Sequence, residues 1–184
     1  MDNGESSYRR FLGGDESGFD ELVEAYREPL IRFIDGFLHN LAESEDVAEE
    51  TFMELIIHPK RYAFRSSFKT YIFSVARNKA VDRVRREKKL CREKAAEELA
   101  DVAGEALEEA FLRKERRELL HRALDAINTE YAAALRLMYF ENMTCEEAAR
   151  VLGKSTRQTS NIIYRAKLAL RREMEREGFF YEKQ

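Results

Sequence analysis

TCEEAARVLGKSTRQTSNIIYRAKLAL, Thr144 to Leu170, carries the clearest structural signal in this 184-residue chain. Thr144 with Glu147 forms one capping box and Ser155 with Gln158 a second. Each supplies an oxygen for the unpaired amides of a first helical turn and a polar side chain that reaches back. Two helix starts so close together predict two short helices meeting at a corner. Gly153 stands where the first must end in a left-handed conformation, and Ala149 is small enough to let the second helix approach. This is the grammar of a helix-turn-helix.

The second helix sorts its residues by face. Leu152, Thr159, Ile163, Ala166 and Leu170 fall on one inward stripe, spaced by seven, four, three and four. Ser160, Asn161, Tyr164 and Arg165 are left looking outward, a set that can meet phosphates and base edges in a major groove. An ordinary helical hairpin with a solvated polar face would share the caps. The agreement of capping, Ala/Gly spacing and charge favours a DNA reader, with eight Lys or Arg against two Glu between Arg150 and Arg176.

Working outward, the composition excludes several classes. Charged residues make up 36%, Pro occurs twice, and no apolar run approaches the eighteen or so residues a membrane helix requires. The start, MDNGESSYRR, has no apolar signal core, so a cytoplasmic location is expected. Cys91 and Cys145 are too few for a disulfide framework or a zinc site on their own. His39, His58 and His121 sit apart, with no metal-ligand spacing and no nucleophile setting, so an enzyme is not expected. The net charge of −3 hides an asymmetry: residues 1–58 hold fifteen acids and four bases, whereas residues 77–94 hold nine bases and three acids. Two basic tracts and an acidic front suit a protein that touches nucleic acid twice and something basic once.

Along the chain, a short polar lead precedes a helix capped by Asp15 or Ser17, with Phe19, Leu22, Val23 and Tyr26 at helical spacing. Pro29 should kink or restart it before Leu30, Phe33, Ile34, Phe37, Leu38 and Leu41 continue the stripe. Ser44 is expected to begin an acid-rich helix with Val47, Phe52, Leu55 and Ile56 inward and Asp46, Glu49, Glu50, Met53 and Glu54 outward; Pro59 ends it. Aromatics and bases then alternate from Lys60 to Tyr71, an interleaving suited to single-stranded nucleic acid and also to buried rings beside surface cations. A helix from Phe68 or Thr70 through Lys88 follows, with Ile72, Val75, Ala76 and Ala80 inward. Residues 95–110 have six acids and no base and predict a part-helical connector. Leu112 to Ile127 resumes an amphipathic helix. Asn128 or Thr129 caps another, whose Leu135, Leu137, Met138 and Tyr139 should bury against the helix-turn-helix.

The stretches GDESGFDELVEAY, EDVAEETFMEL, FRSSFKTYIFSVARNKAVDRVRR and MTCEEAARVLGKS…IYRAKLAL, in that order, resemble the extracytoplasmic-function (ECF) class of the sigma-70 family, the promoter-recognition subunits of bacterial RNA polymerase. The resemblance runs from about Tyr8 to about Glu175. It implies an all-α protein of two helical domains: an N-terminal bundle over 8–92 and a C-terminal helix-turn-helix four-helix domain over 112–176. A part-helical acidic linker over 93–111 would join them.

The same resemblance implies residue roles. Asp46, Glu49, Glu50, Met53 and Glu54 match the face that binds the beta-prime coiled coil of core polymerase; family members usually carry Gln at the position of Glu49. Phe64, Arg65, Phe68, Lys69, Tyr71, Ser74, Arg77, Asn78, Arg83, Arg85 and Arg86 match the element that recognises and melts the minus-ten promoter region, where an aromatic wall and polar donors offset unstacking of a flipped base. Thr156, Arg157, Ser160, Asn161, Tyr164, Arg165 and Lys167 match the reader of the minus-thirty-five element. The implied partners are core RNA polymerase, through the beta-prime coiled coil and the beta flap, double-stranded and melted promoter DNA, and an anti-sigma factor. No cofactor, metal, small-molecule substrate or membrane insertion is implied. A helix-turn-helix regulator that does not replace sigma is the rival; it would need neither the acidic helix nor the aromatic loop.

Overall fold

The helix-turn-helix is built as its sequence dictates. In the computed structural model, which describes residues 4–93 and 118–177, its two helices are Cys145–Leu152 and Thr156–Arg176. Thr144 Oγ1 accepts from the Glu147 amide at 3.2 Å while Glu147 Oε2 accepts from the Thr144 amide at 2.9 Å. Ser155 and Gln158 repeat the exchange at 3.2 and 2.9 Å. Gly153 ends the first helix at φ 64°, with the Lys154 amide bonding back to the Ala149 carbonyl and the Gly153 amide to that of Arg150, a Schellman closure.

Among the described residues six α-helices precede this pair: α1 (Glu5–Leu12), α2 (Ser17–Leu38), α3 (Leu41–Ile57), α4 (Phe68–Glu93), α5 (118–126) and α6 (Thr129–Leu135). The helix-turn-helix supplies α7 and α8, and no strand occurs among the described residues. The all-α architecture matches expectation. The acidic connector over 95–110, the expected start of the following helix at Leu112 and the C-terminal GFFYEKQ stretch lie outside the described residues. No described helix is long and apolar enough to cross a membrane.

Several local expectations change. The polar lead contains α1, whose Tyr8 is fully buried and donates its hydroxyl to the Pro59 carbonyl at 2.7 Å. Burial pushes the Tyr8 phenol up to about 12. Helix α2 runs through Pro29 without restarting, because Leu22, Tyr26, Leu30, Phe33 and Ile34 hold one buried stripe on both sides of it. Helix α3 begins three residues before Ser44. Asn40 caps it by accepting from the Glu43 amide at 3.2 Å, and Ser44 is buried, its hydroxyl on the Asn40 carbonyl at 2.7 Å.

The inward sets also shift. Ile56 is 46% exposed and Tyr139 55%, whereas Phe73, absent from the expected inner face, is fully buried. Asn128 does cap α6, accepting from the Glu130 amide at 2.9 Å. Beyond α6 the chain widens into a π-helical turn, Arg136–Phe140, closed by the Glu141 amide on the Arg136 carbonyl. A π turn adds a residue to the helix and rotates the side chains that follow. Here it leaves Leu137 inside and Tyr139 and Phe140 outside.

Helices α1–α4 form the first domain around Leu22, Leu30, Ile34, Leu55, Phe68 and Ile72. Helices α5, α6 and α8 close the second around Leu124, Leu135 and Ala166. The domains are packed together: α7 lies on α4 and α6 on α2, so Ala148, Val151 and Leu152 share one apolar cluster with Phe73 and Ala76.

Candidate nucleic-acid interface

The outward face of α8 is available as the sequence predicts. Thr159, Ile163 and Ala166 are buried while Thr156, Arg157, Ser160, Asn161, Tyr164, Arg165 and Lys167 are exposed, Tyr164 at 66%. Leu170, expected inside, is only half-buried. Two capping boxes and the Gly153 turn fix the helix start, so this face is presented by a rigid element. Gln158, Asn161 and Arg165 line a shallow cleft with Lys154 and Glu130, which form an ion pair at 2.9 Å. Ser160, Asn161, Tyr164 and Arg165 make no side-chain hydrogen bond or ion pair among the described residues. Lys167 lies 5.3 Å from the centre of the Tyr139 ring, a cation–π approach that orients its ammonium.

The aromatic loop between α3 and α4 is organised differently. Tyr8, Tyr62, Phe64, Phe68 and Tyr71 form one cluster, with Tyr62 stacked on Tyr71 at 4.9 Å and Phe64 tilted against Tyr62 at 4.5 Å. Phe68 is fully buried, so the structure removes it from the residues that can face a ligand and makes it the floor under them. Tyr62, to which the sequence motifs assign no role of its own, closes the loop by donating to the Ser66 carbonyl at 2.6 Å. Phe64 is held at φ 56°, a left-handed conformation a bulky side chain rarely adopts, with the Arg9 guanidinium 4.0 Å from its ring centre. Arg65 is exposed.

Along α4 the remaining residues of this set are not equally free. Ser74 donates to the Thr70 carbonyl at 2.7 Å, Arg83 is paired with Glu50 at 2.7 Å, and Arg85 reaches Asp82 at 3.5 Å. Lys69 bonds to Glu141 of the second domain. Asn78 and Arg86 are exposed. Tyr71 Oη and Arg77 Nε are buried with no hydrogen-bond partner, and burial pushes the Tyr71 phenol up.

The acidic face of α3 comes together as expected, with Asp46, Glu49, Glu50 and Met53 exposed and Glu54 half-buried. Two further residues complete it: Ile57, 60% exposed, and Lys79 of α4, which stands 3.8 Å from Glu54 and 3.9 Å from Glu50. Arg61 also pairs with Glu54. Periodicity alone could have flagged Ile57, because it lies four residues past Met53. Lys79 gave no such signal.

Comparison with known proteins identifies the family. The model of sigma-70 region 2 matches residues 22–90 and that of sigma-70 region 4 matches residues 117–170. The chain is 28% identical over 152 residues to the ECF RNA polymerase sigma factor SigM of Bacillus subtilis, covering 83% of this chain and 92% of that protein. It is 27% identical over 170 residues to the RNA polymerase sigma-H factor of Pseudomonas aeruginosa, covering 88% of each. Its fold is similar to the sigma factor RpoE of Bartonella quintana, solved in complex with the anti-sigma factor NepR, at TM-score 0.73 and 17% identity over 85% of this chain and 96% of that one. It is also similar to CnrH, solved in complex with the cytosolic domain of CnrY, at TM-score 0.67 and 20% identity over 95% and 98%. Two region models in the family's order, and curated relatives matched over nearly their whole length, show that the chain belongs to the extracytoplasmic-function sigma factors of the sigma-70 family.

Proposed function

We propose that this promoter-directing sigma factor divides its work among three faces. Asp46, Glu49, Glu50, Met53 and Glu54, extended by Ile57, dock on the basic beta-prime coiled coil of core RNA polymerase. The second domain meets the beta flap. Ser160, Asn161, Tyr164 and Arg165 read the upstream promoter element while Thr156, Arg157 and Lys167 hold phosphates, the division of labour usual between base and backbone contacts. Phe64, Tyr71, Ser74 and Asn78 receive an unstacked base of the downstream element, supported from beneath by Phe68. Arg65, Lys69, Arg77, Arg83, Arg85 and Arg86 track the backbone.

The observation that carries this reading is the state of the α8 face: rigidly presented, exposed, and without hydrogen-bond or ion-pair partners for its four outward side chains among the described residues. Side chains of that kind are available to bases. A regulator that does not replace sigma would account for α8 but leave the acidic face of α3 and the aromatic loop without a purpose. Melting uses binding energy alone, with no cofactor or covalent step, and takes place in the cytoplasm. Because the structural neighbour RpoE was solved in complex with the anti-sigma factor NepR, an anti-sigma factor is proposed here as the controlling partner.

The test is reconstitution. The purified chain, added to core polymerase of its host, should start transcription at a discrete set of promoters sharing two elements, located by sequencing RNA 5′ ends. If it never moves core polymerase onto any host promoter, the proposal fails.

A further inference from the structure

Helix α1 lies before the first of the four sequence motifs, and the region 2 match begins only at residue 22, yet α1 is built into the aromatic loop. Eight residues are too few to hold a helix by themselves, so α1 exists through what it packs against. Gly18 lets it lie close on α2, since a Cβ there would stand 2.3 Å from the Ser7 carbonyl oxygen. From that seat the Tyr8 ring reaches the loop, 5.0 Å from Phe68 and 5.5 Å from Tyr62, while its hydroxyl bonds to the Pro59 carbonyl just past the end of α3.

The next residue takes hold of Phe64. Arg9 places its guanidinium carbon 4.0 Å from the centre of the Phe64 ring, and Glu5, one turn back, accepts from that guanidinium at 2.8 Å. An acid four residues before a base is the favourable order on a helix, so the pair orients the cation. Phe64 needs support because its φ of 56° costs a bulky side chain energy unless the surroundings impose it. Tyr62, 4.5 Å from the same ring, is one support and belongs to the buried core. Arg9 is the other, and it is an exposed side chain that can be changed without touching the core.

A cation over an aromatic ring is attracted by the negative face of its π system. Arg9 therefore favours the arrangement of the loop in which the Phe64 ring stands beneath it, and does so before any DNA arrives. A wall ordered in advance spares the incoming base the cost of ordering it.

We propose that α1 is a working part of the downstream-promoter site, with Arg9 as its positioning residue: it holds Phe64 in the left-handed conformation and so pre-forms the wall that receives an unstacked base. The proposal rests on the assignment of Phe64 to that base. The effect of Arg9 passes through the Phe64 ring and requires no contact between Arg9 and DNA.

The test uses holoenzyme assembled from the full chain and core polymerase, on a promoter found by the reconstitution above. Permanganate oxidation of unpaired thymines measures the open fraction, and titration of fluorescently labelled protein measures core binding. Arg9→Ala should lower the opening equilibrium about two- to fivefold, the range an exposed cation–π contact supplies, with core binding unchanged. Alanine is the best helix former, so α1 is kept. Arg9→Lys, which keeps a cation without the planar stack, should recover part of the loss, and Arg9→Gln should not. Phe64→Ala should lower opening about tenfold or more, and in its background Arg9→Ala should have no further effect.

Independent, additive losses in the double variant would make Arg9 a contact in its own right and overturn the positioning role. Wild-type opening in Arg9→Ala, an equal fall in core binding, or a Lys variant no better than the Gln variant would overturn it as well. Normal opening in Phe64→Ala would instead remove Phe64 from the base site, so that the functional reading of the loop fails and this proposal with it.

Discussion

Arg83 and Glu50 are ion-paired at 2.7 Å across α4 and α3, so a cation assigned to DNA and an anion assigned to polymerase neutralise each other in the free protein. Lys79 extends the pairing to Glu54. The two faces are thereby coupled, and a substitution at Glu50 acts on both.

Asp46 separates the two effects, because it is exposed on the same face and has no hydrogen bond or ion pair among the described residues. Asp46→Lys should weaken binding to core polymerase about tenfold or more by placing like charges together, with most of the loss in association rate and with greater loss at low salt. Glu50→Lys with Glu54→Lys should weaken it further and also release Arg83 and Lys79. Helical content by circular dichroism should not change. Normal core affinity in all of these variants would remove α3 as the polymerase face.

On α8 the expected losses differ in kind. Asn161→Ala or Arg165→Ala should cost about 1–3 kcal/mol on promoters carrying the matching upstream base and relax selection at that base. Arg157→Ala should weaken binding to all sequences alike and lower the salt slope by about one. Binding titrations on a panel of upstream-element variants at two salt concentrations distinguish them; a uniform loss from Asn161→Ala would make that residue a backbone contact.

Gly153 is required by its φ of 64° and not by crowding, because a Cβ there would meet nothing nearer than Arg77 Nη1 at 3.8 Å. Gly153→Ala should therefore destabilise the helix-turn-helix by about 1–2 kcal/mol through the backbone alone. Gly153→Asn should cost less, because asparagine tolerates this conformation. Equal melting temperatures for the two variants, measured by circular dichroism, would contradict the backbone explanation.

Glu147 carries a pH dependence. The Thr144 amide, bonded to its carboxylate, holds it below the usual carboxylate range, with the Thr144 and Ser67 hydroxyls and Arg150 acting in the same sense. A carboxyl depressed in the folded state contributes stability that is complete above its unfolded value near 4.5 and is lost as pH falls through the folded value. Glu147→Gln keeps an acceptor for the Thr144 amide but cannot titrate. Its thermal stability should decline less steeply than the wild type's below about pH 4.5, and identical acid limbs would show that the charge is not involved.

The α7–α8 unit is legible from its residues alone, because its determinants are local. A cap oxygen and its amide are three residues apart, a Schellman glycine closes the turn beside it, and an inward stripe repeats every three or four residues. The exposure of Ser160, Asn161, Tyr164 and Arg165 follows from the same periodicity. Helix α1 is not legible in this way although Tyr8 and Phe11 have helical spacing, since eight residues give too little pattern beside a polar lead.

Composition, caps and periodicity are sufficient for an all-helical chain, the helix-turn-helix and its outward face, because those features depend on neighbours within a turn or two of helix. They could not place Phe68 under the aromatic loop, pair Arg83 with Glu50 or join Lys69 to Glu141. Each of these brings together residues from different helices, and the last spans 72 positions. Their geometry is set by how helices pack, and packing converts a row of apparently equivalent cations on α4 into some that are exposed, such as Arg86, and others already bound, such as Lys69 and Arg83.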